Sequence, residues 1–139
     1  MDDCIFCKII SGYIPASKVY GDKEIFAFLD IAPANKGHVL VVPKKHFELI
    51  TEVPENILNS LIKCVKKVSS ALLKENEGVN VIQNNGKAAG QLVKHFHFHV
   101  IPRNNNDNLG LTHWKPLKYE ESEMALYLDK IKKHLNKTR

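Results

Sequence analysis

Three histidines stand two residues apart in the run His95-Phe96-His97-Phe98-His99-Val100-Ile101, with an apolar residue after each one. That spacing has the period of a β-strand, so the imidazoles share one face while Phe96, Phe98 and Val100 share the other. At a rise of about 3.3 Å per residue, neighbouring imidazoles spring from backbone points roughly 7 Å apart, close enough to line one small site. Water-facing strand positions more often carry Lys, Thr, Glu or Ser, so the alternation is read as a chemical face rather than a solvated one. A neutral imidazole near pH 7 is a nucleophile that needs no metal.

A second group with chemistry is Cys4-Ile5-Phe6-Cys7. The stretch Met1-Asp2-Asp3-Cys4 is acidic and has neither the basic region nor the long apolar run of a secretory signal, so the expected location is the cytoplasm. There a two-residue spacer between cysteines points to metal or redox chemistry before a disulfide. A thioredoxin-like pair follows a strand inside a βαβ unit, which this one does not, so metal is the better reading. Structural zinc takes four ligands, and His46 with one histidine of the triad are the candidates for the other two. Cys64 falls on an apolar helical face and reads as a small buried hydrophobe.

The elements that must position these groups follow from pattern. Lys8 to Ser17 reads as a helical turn running into a loop, broken by Gly12 and Pro15. Lys18 to Tyr20 and Glu24 to Asp30 read as strands joined at Gly21-Asp22, and Gly37 to Pro43 as a Val-rich strand central in the sheet. Apolar residues at 57, 58, 61, 62, 65, 68 and 72 give one face of a helix running to about Asn76, with Pro54 at its first position and Gly78 at its stop. Val79 to Asn84 is the next strand, and the small-residue loop Asn85 to Gly90 delivers the chain to the triad. A final helix over Glu120 to Leu135 carries acids first and lysines last, as the helix dipole prefers. Strands clustered before and after one long helix, with hairpin-length links, predict an antiparallel α+β fold.

The length of 139 residues, with 44% hydrophobic and 25% charged residues, predicts one domain with an ordinary core. The net charge of +5 comes mostly from scattered lysines, with Arg103 and Arg139 the only arginines, so no concentrated nucleic-acid surface is expected. No segment approaches the roughly 20 apolar residues that span a bilayer. A mild positive field still favours a phosphorylated small molecule.

With these residues in view, the chain resembles the histidine triad family, in its Hint-like branch. The triad run carries the likeness, and Cys4-Ile5-Phe6-Cys7-Lys8-Ile9-Ile10, Phe28 to Pro33, Gly37-His38 through Pro43-Lys44-Lys45-His46, Asn84-Asn85-Gly86 and Gly90-Gln91 extend it in order and spacing. The likeness covers about residues 4 to 118 of the single domain 1–139, leaving 119–139 as a C-terminal helical extension. It implies a five-stranded antiparallel sheet with one long helix, and a homodimer whose two sheets join. It also implies hydrolysis of a nucleoside 5′-monophosphate derivative, such as a purine phosphoramidate, through a nucleotidyl-histidine intermediate. A nucleotide-binding or regulatory protein with little turnover is the alternative.

Carried over by position, His97 is the nucleophile. His99, Asn84 and Gln91 match phosphate contacts, and Asp30 matches the ribose-binding carboxylate. Phe6, Ile9, Phe28, Ile31 and Leu40 match the base pocket, while His38 and Trp114 take auxiliary places. In zinc-bearing, bacterial-type relatives the structural metal sits where this chain has Cys4, Cys7, His46 and His95. The residue after Gln91 is Leu92, where many Hint members have a serine that assists the leaving group; leucine cannot donate a proton.

Overall fold

Alternation within two apolar strands divides the protein's interior into two cores. The computed structural model describes residues 3–111 and 113–137. Strands β1 (Lys18–Gly21), β2 (Ile25–Leu29), β3 (Val39–Pro43), β4 (Gly78–Gln83) and β5 (Phe98–Arg103) form one antiparallel sheet in the order β1-β2-β3-β5-β4. Ile25 and Ala27 of β2 and Val39 and Val41 of β3 point to one face, where they pack with Leu61, Cys64, Val65 and Val68 of helix α2 (Glu55–Leu72) and with Phe96 and Val100. Phe28, Leu40 and Val42 point the other way and meet Phe6 of the short helix α1 (Ile5–Ile10). A strand with both faces covered reads as a continuous apolar run, which is why Val39–Pro43 is buried throughout.

The expected α+β architecture is the observed one, with boundaries that differ for local reasons. Asp22 closes the first hairpin by accepting from the Glu24 and Ile25 amides, both at 2.8 Å, so β2 starts at Ile25 rather than Glu24. Pro54 is the residue before α2 rather than its first residue, because its extended backbone (ψ 147°) lies outside the helix. Helix α2 ends at Leu72 through turn bonds to Ala71 and Leu72, and Gly78 opens β4 instead of stopping the helix. The triad run enters the sheet late: β5 begins at Phe98, so His95 and His97 precede the paired strand. Phe96 nevertheless donates its amide to the Phe47 carbonyl at 2.6 Å, which holds that segment extended and preserves the alternation.

The chain forms two compact units, Met1–Asn108 and Leu109–Arg139. Polar contacts tie the chain to the first unit up to Asp107. The Arg103 guanidinium donates to both carboxylate oxygens of Asp107, and Asn104 and Asn105 pair with Asn76 and Glu77. The second unit holds helix α3 (Glu123–Lys137), whose start is closed by the Glu120 amide donating to the Glu123 carboxylate at 2.7 Å. Its stripe of Met124, Leu128 and Ile131 is more than half exposed.

Candidate active site

The three triad imidazoles lie on the α1 face of the sheet, opposite Phe96 and Val100. Phe6 sets its ring edge-on to His97 at 5.1 Å and to His95 at 5.9 Å. His99 sits in the middle of the sheet, paired with Leu40 of β3 on one side and Ile82 of β4 on the other. His97 and His99 stand 4.8 Å apart between ring centres. Sequence spacing therefore does bring the imidazoles into one row.

Backbone groups decide which nitrogen of each ring carries the proton. His97 Nδ1–H donates to the carbonyl of His95 at 2.6 Å, which leaves a lone pair on Nε2. His95 Nε2–H donates to the Pro43 carbonyl at 2.8 Å, leaving the lone pair on Nδ1. The Ala34 amide donates to His38 Nδ1 at 3.0 Å, so the proton of neutral His38 is on Nε2, where it is given to His99 Nδ1 at 2.9 Å. His99 then keeps its proton on Nε2 and is a hydrogen-bond donor there. Burial lowers the basicity of all four rings. His95 is brought down to about 4 by burial, and His99 to about 4 by burial with His97 and His38 beside it. For His38 and His97 the Asp30 carboxylate partly opposes the same effect. The row is therefore neutral at pH 7.

Next to the row, Cys4, Cys7, His46 and His95 bring one donor atom each to within 4.8 Å of one another. Cys4 Sγ lies 3.4 Å from His95 Nδ1, Cys7 Sγ lies 3.4 Å from His46 Nδ1, and the two Nδ1 atoms are 3.1 Å apart. Zinc bonds of about 2.3 Å to sulfur and 2.0–2.1 Å to nitrogen in a tetrahedron give donor separations near these values. The Pro43 carbonyl, by holding the proton on His95 Nε2, turns the right nitrogen inward. Burial first, then the neighbouring Cys4, pushes the Cys7 thiol up to about 11, a bias that a cation would reverse. The donors therefore fit a structural zinc. Asp30, His38 and His99 also converge. There the Ala34 amide holds the His38 proton on Nε2, the atom a metal would need, so this second group is a hydrogen-bond relay and not a metal site.

A cavity of about 260 Å³ opens beside the row. Its wall includes Phe6, Ile9, Phe28, Ile31 and Leu40, together with Asp30, His97 and His99, so most of the residues matched by resemblance are brought together. Asp30 caps its own loop by accepting from the Ala32 amide at 2.9 Å, with its second oxygen 3.8 Å from His38 Nε2. Gln91 is buried behind the wall: its Oε1 accepts from the Gly86 amide at 2.7 Å and its Nε2 donates to the Glu48 carbonyl at 2.8 Å. It clamps the glycine loop, and one Nε2 proton is left over. Asn84 stands behind Gly90, whose left-handed backbone (φ 91°) brings the loop to the wall. His38 is likewise buried behind His99. Sequence reasoning missed the wall residues Ile5, Ile14, Pro15, Ala16 and Val93, which carry no pattern beyond being apolar. Trp114 belongs to the second unit and is 82% exposed.

Fold and site together define an α+β domain that carries a row of neutral imidazoles along the wall of an apolar cavity. The chain belongs to the HIT domain family, which residues 11–106 match. It is 56% identical over 105 residues to an uncharacterized HIT-like protein of Methanocaldococcus jannaschii, covering 75% of this chain and 81% of that one. It is 39% identical over 141 residues to the adenosine 5′-monophosphoramidase of Candida albicans, covering 96% of this chain and 92% of the relative. Among solved structures it resembles a zinc-bound histidine triad family protein from Mycobacterium smegmatis, with a TM-score of 0.75, 35% identity, and coverage of 94% and 98% of the two chains. Among the described residues no helix is long and apolar enough to cross a membrane.

Proposed function

We propose that this protein hydrolyses nucleoside 5′-monophosphate derivatives, purine ones in particular, through a nucleotide transiently bonded to His97. The observation that carries the reading is the hydrogen bond from His97 Nδ1–H to the His95 carbonyl, at 2.6 Å, on a ring that lines the cavity. It fixes the nucleophilic tautomer without any proton having to move first. In this reading the base lies among Phe6, Ile9, Phe28, Ile31 and Leu40, and Asp30 accepts from the ribose diol. His97 Nε2 attacks phosphorus while His99 Nε2–H donates to a phosphoryl oxygen, with its proton position set through His38 by the Ala34 amide. Water then attacks phosphorus and His97 departs, regaining its lone pair. Asn84 and Gln91 position the phosphate from behind the glycine loop.

The same reading places one zinc on Cys4, Cys7, His46 and His95. Those four residues would hold the ion and it would supply structural cross-linking there, with no coordination position left for reactive water. The protein is proposed to work in the cytoplasm on a small-molecule substrate, with neither nucleic acid nor membrane as partner. His97→Ala is expected to keep nucleoside monophosphate binding while turnover falls at least about a thousandfold, since the covalent route is removed. Turnover within tenfold of the wild type in a monophosphate-release assay would end the assignment.

A further inference from the structure

The hydrogen bonds that set the proton on His99 begin in the loop between β2 and β3, where residues 31–34 and 36 are exposed. From that surface loop the Ala34 amide reaches the buried ring of His38. An exposed loop offers little packing to hold one amide in place, so its position depends on the few contacts the loop makes inward. Two half-buried residues, Asn35 and Gly37, make such contacts. Asn35 Nδ2 donates to the Pro102 carbonyl at 3.0 Å and to Asp107 Oδ2 at 2.9 Å, which uses both of its protons. Gly37, with a φ of 99°, lies so close to Pro102 that an added Cβ would come within 3.4 Å of its ring. The Asn35 carbonyl accepts from the His38 amide at 3.0 Å, which closes the turn between the two residues.

The acceptors of that pin are themselves held. Asp107 takes the Arg103 guanidinium on both oxygens, at 2.8 and 3.0 Å, and Arg103 donates a further bond to Asn80 Oδ1 at 2.6 Å. A two-pronged guanidinium–carboxylate pair fixes orientation as well as distance. Pro102 is fully buried on β5, the strand that carries His99, so the loop is tied to the same strand as the imidazole at the end of the relay. We propose that Asn35 is a positioning residue for the reaction. By pinning the loop to Pro102 and Asp107 it aims the Ala34 amide at His38 Nδ1, and through His38 it keeps the proton of His99 on Nε2. This rests on the nucleotidyl hydrolase reading above and adds a residue to that same site.

The opposite arrangement of protons is what the pin prevents. With the Ala34 amide displaced, neutral His38 can carry its proton on Nδ1, its Nε2 becomes an acceptor, and His99 must then donate from Nδ1. His99 Nε2 is left with a lone pair, which repels a phosphoryl oxygen instead of stabilising it. Both rings are neutral in either arrangement, so the choice rests on the hydrogen bonds alone. Asp30 Oδ2, 3.8 Å from His38 Nε2, is too far to hold that proton by a hydrogen bond. The amide decides it.

Nitrogen-15 resonance of the histidine rings in the full chain, purified without chelator, tests this directly. In the wild type His99 Nε2 is expected to give the signal of a protonated nitrogen and Nδ1 that of a lone-pair nitrogen. In Asn35→Ala the two signals should move toward each other. Asp107→Ala removes the same pin from the other side and should give the same change, as should Ala34→Pro, which deletes the amide itself. With adenosine 5′-phosphoramidate, kcat should fall about fivefold in each variant, the worth of one hydrogen bond, while KM stays within about twofold. Val68→Ala, a core change in α2, should lower the melting temperature and leave the His99 signals where they are. A wild type with the His99 proton on Nδ1, unchanged signals in both pin variants, or an equal change in Val68→Ala overturns the proposal. A change in Ala34→Pro alone removes Asn35 from the relay. The ring signals need no substrate, so a wild type that releases no monophosphate overturns the hydrolase reading, while the signals still decide whether Asn35 places the proton.

Discussion

At the scale of single residues, the proposed function depends on imidazoles kept neutral by burial, and that has a measurable consequence. His99 is faced by His97 beside it and by His38 and Asp30 behind it, and its folded-state value is about 4, below the unfolded value near 6.5. As pH falls, the unfolded chain therefore binds this proton first. Stability that is fully present above pH 6.5 is lost down to about pH 4, by up to about 1.4 kcal/mol per pH unit. Urea unfolding at pH 7.5 and at pH 5 should show His99→Gln losing less stability than the wild type over that interval. Equal losses would mean that His99 does not carry a lowered value. The three-histidine face was legible in the sequence because extended backbone alternates whether or not a strand is paired. The proton positions were not, because they depend on the amide of Ala34 and the carbonyls of Pro43 and His95, and any residue could supply those.

At the scale of elements, the six-residue helix α1 does two jobs that its length alone would not sustain. It presents Phe6 to the core and holds Cys7 against Cys4, whose sulfur accepts from the Cys7 amide at 3.4 Å. A helix this short is marginal in water, so its tertiary anchors decide whether it forms. The zinc donors come from three places in the chain: the start of α1, the turn after β3, and the segment before β5. A metal bound there would join elements that the sheet does not pair directly. The expected result is about one zinc per chain by elemental analysis, after purification without chelator and with zinc reconstitution. Cys7→Ser should lower the melting temperature while His97-dependent turnover is only partly reduced. Absence of metal, with both thiols freely titratable in the native protein, would remove the site. The spacing of Cys4 and Cys7 and the four-ligand rule made the pair, His46 and one triad histidine legible, but which triad histidine completes the group was reached only through resemblance, since its approach is set by packing across the sheet. The glycine loop was legible as a loop; that Gln91 would point inward and clamp it was not, because a buried glutamine has no sequence pattern.

At the scale of the whole molecule, the first unit leaves an open sheet edge. Strand β4 is the last in the order, and Val81 at its centre is 46% exposed, as is Ile62 of α2 at 50%. An unpaired edge with apolar side chains beside it invites pairing with another chain unless charge or proline guards it, and Gly78–Gln83 contains neither a charged residue nor proline. A second copy turned about a two-fold axis would close the β4 edge of both copies at once. This is the homodimer that the family resemblance implies. Light scattering at micromolar protein is expected to give twice the chain mass of 15.8 kDa. Val81→Lys places a charge at the middle of that edge; because the residue is exposed, the fold should be retained, with unchanged far-ultraviolet circular dichroism, while the mass falls toward that of one chain. A wild type that scatters as a monomer would remove the dimer. A Val81→Lys protein that remains dimeric would move the interface away from β4 and onto another surface of the chain.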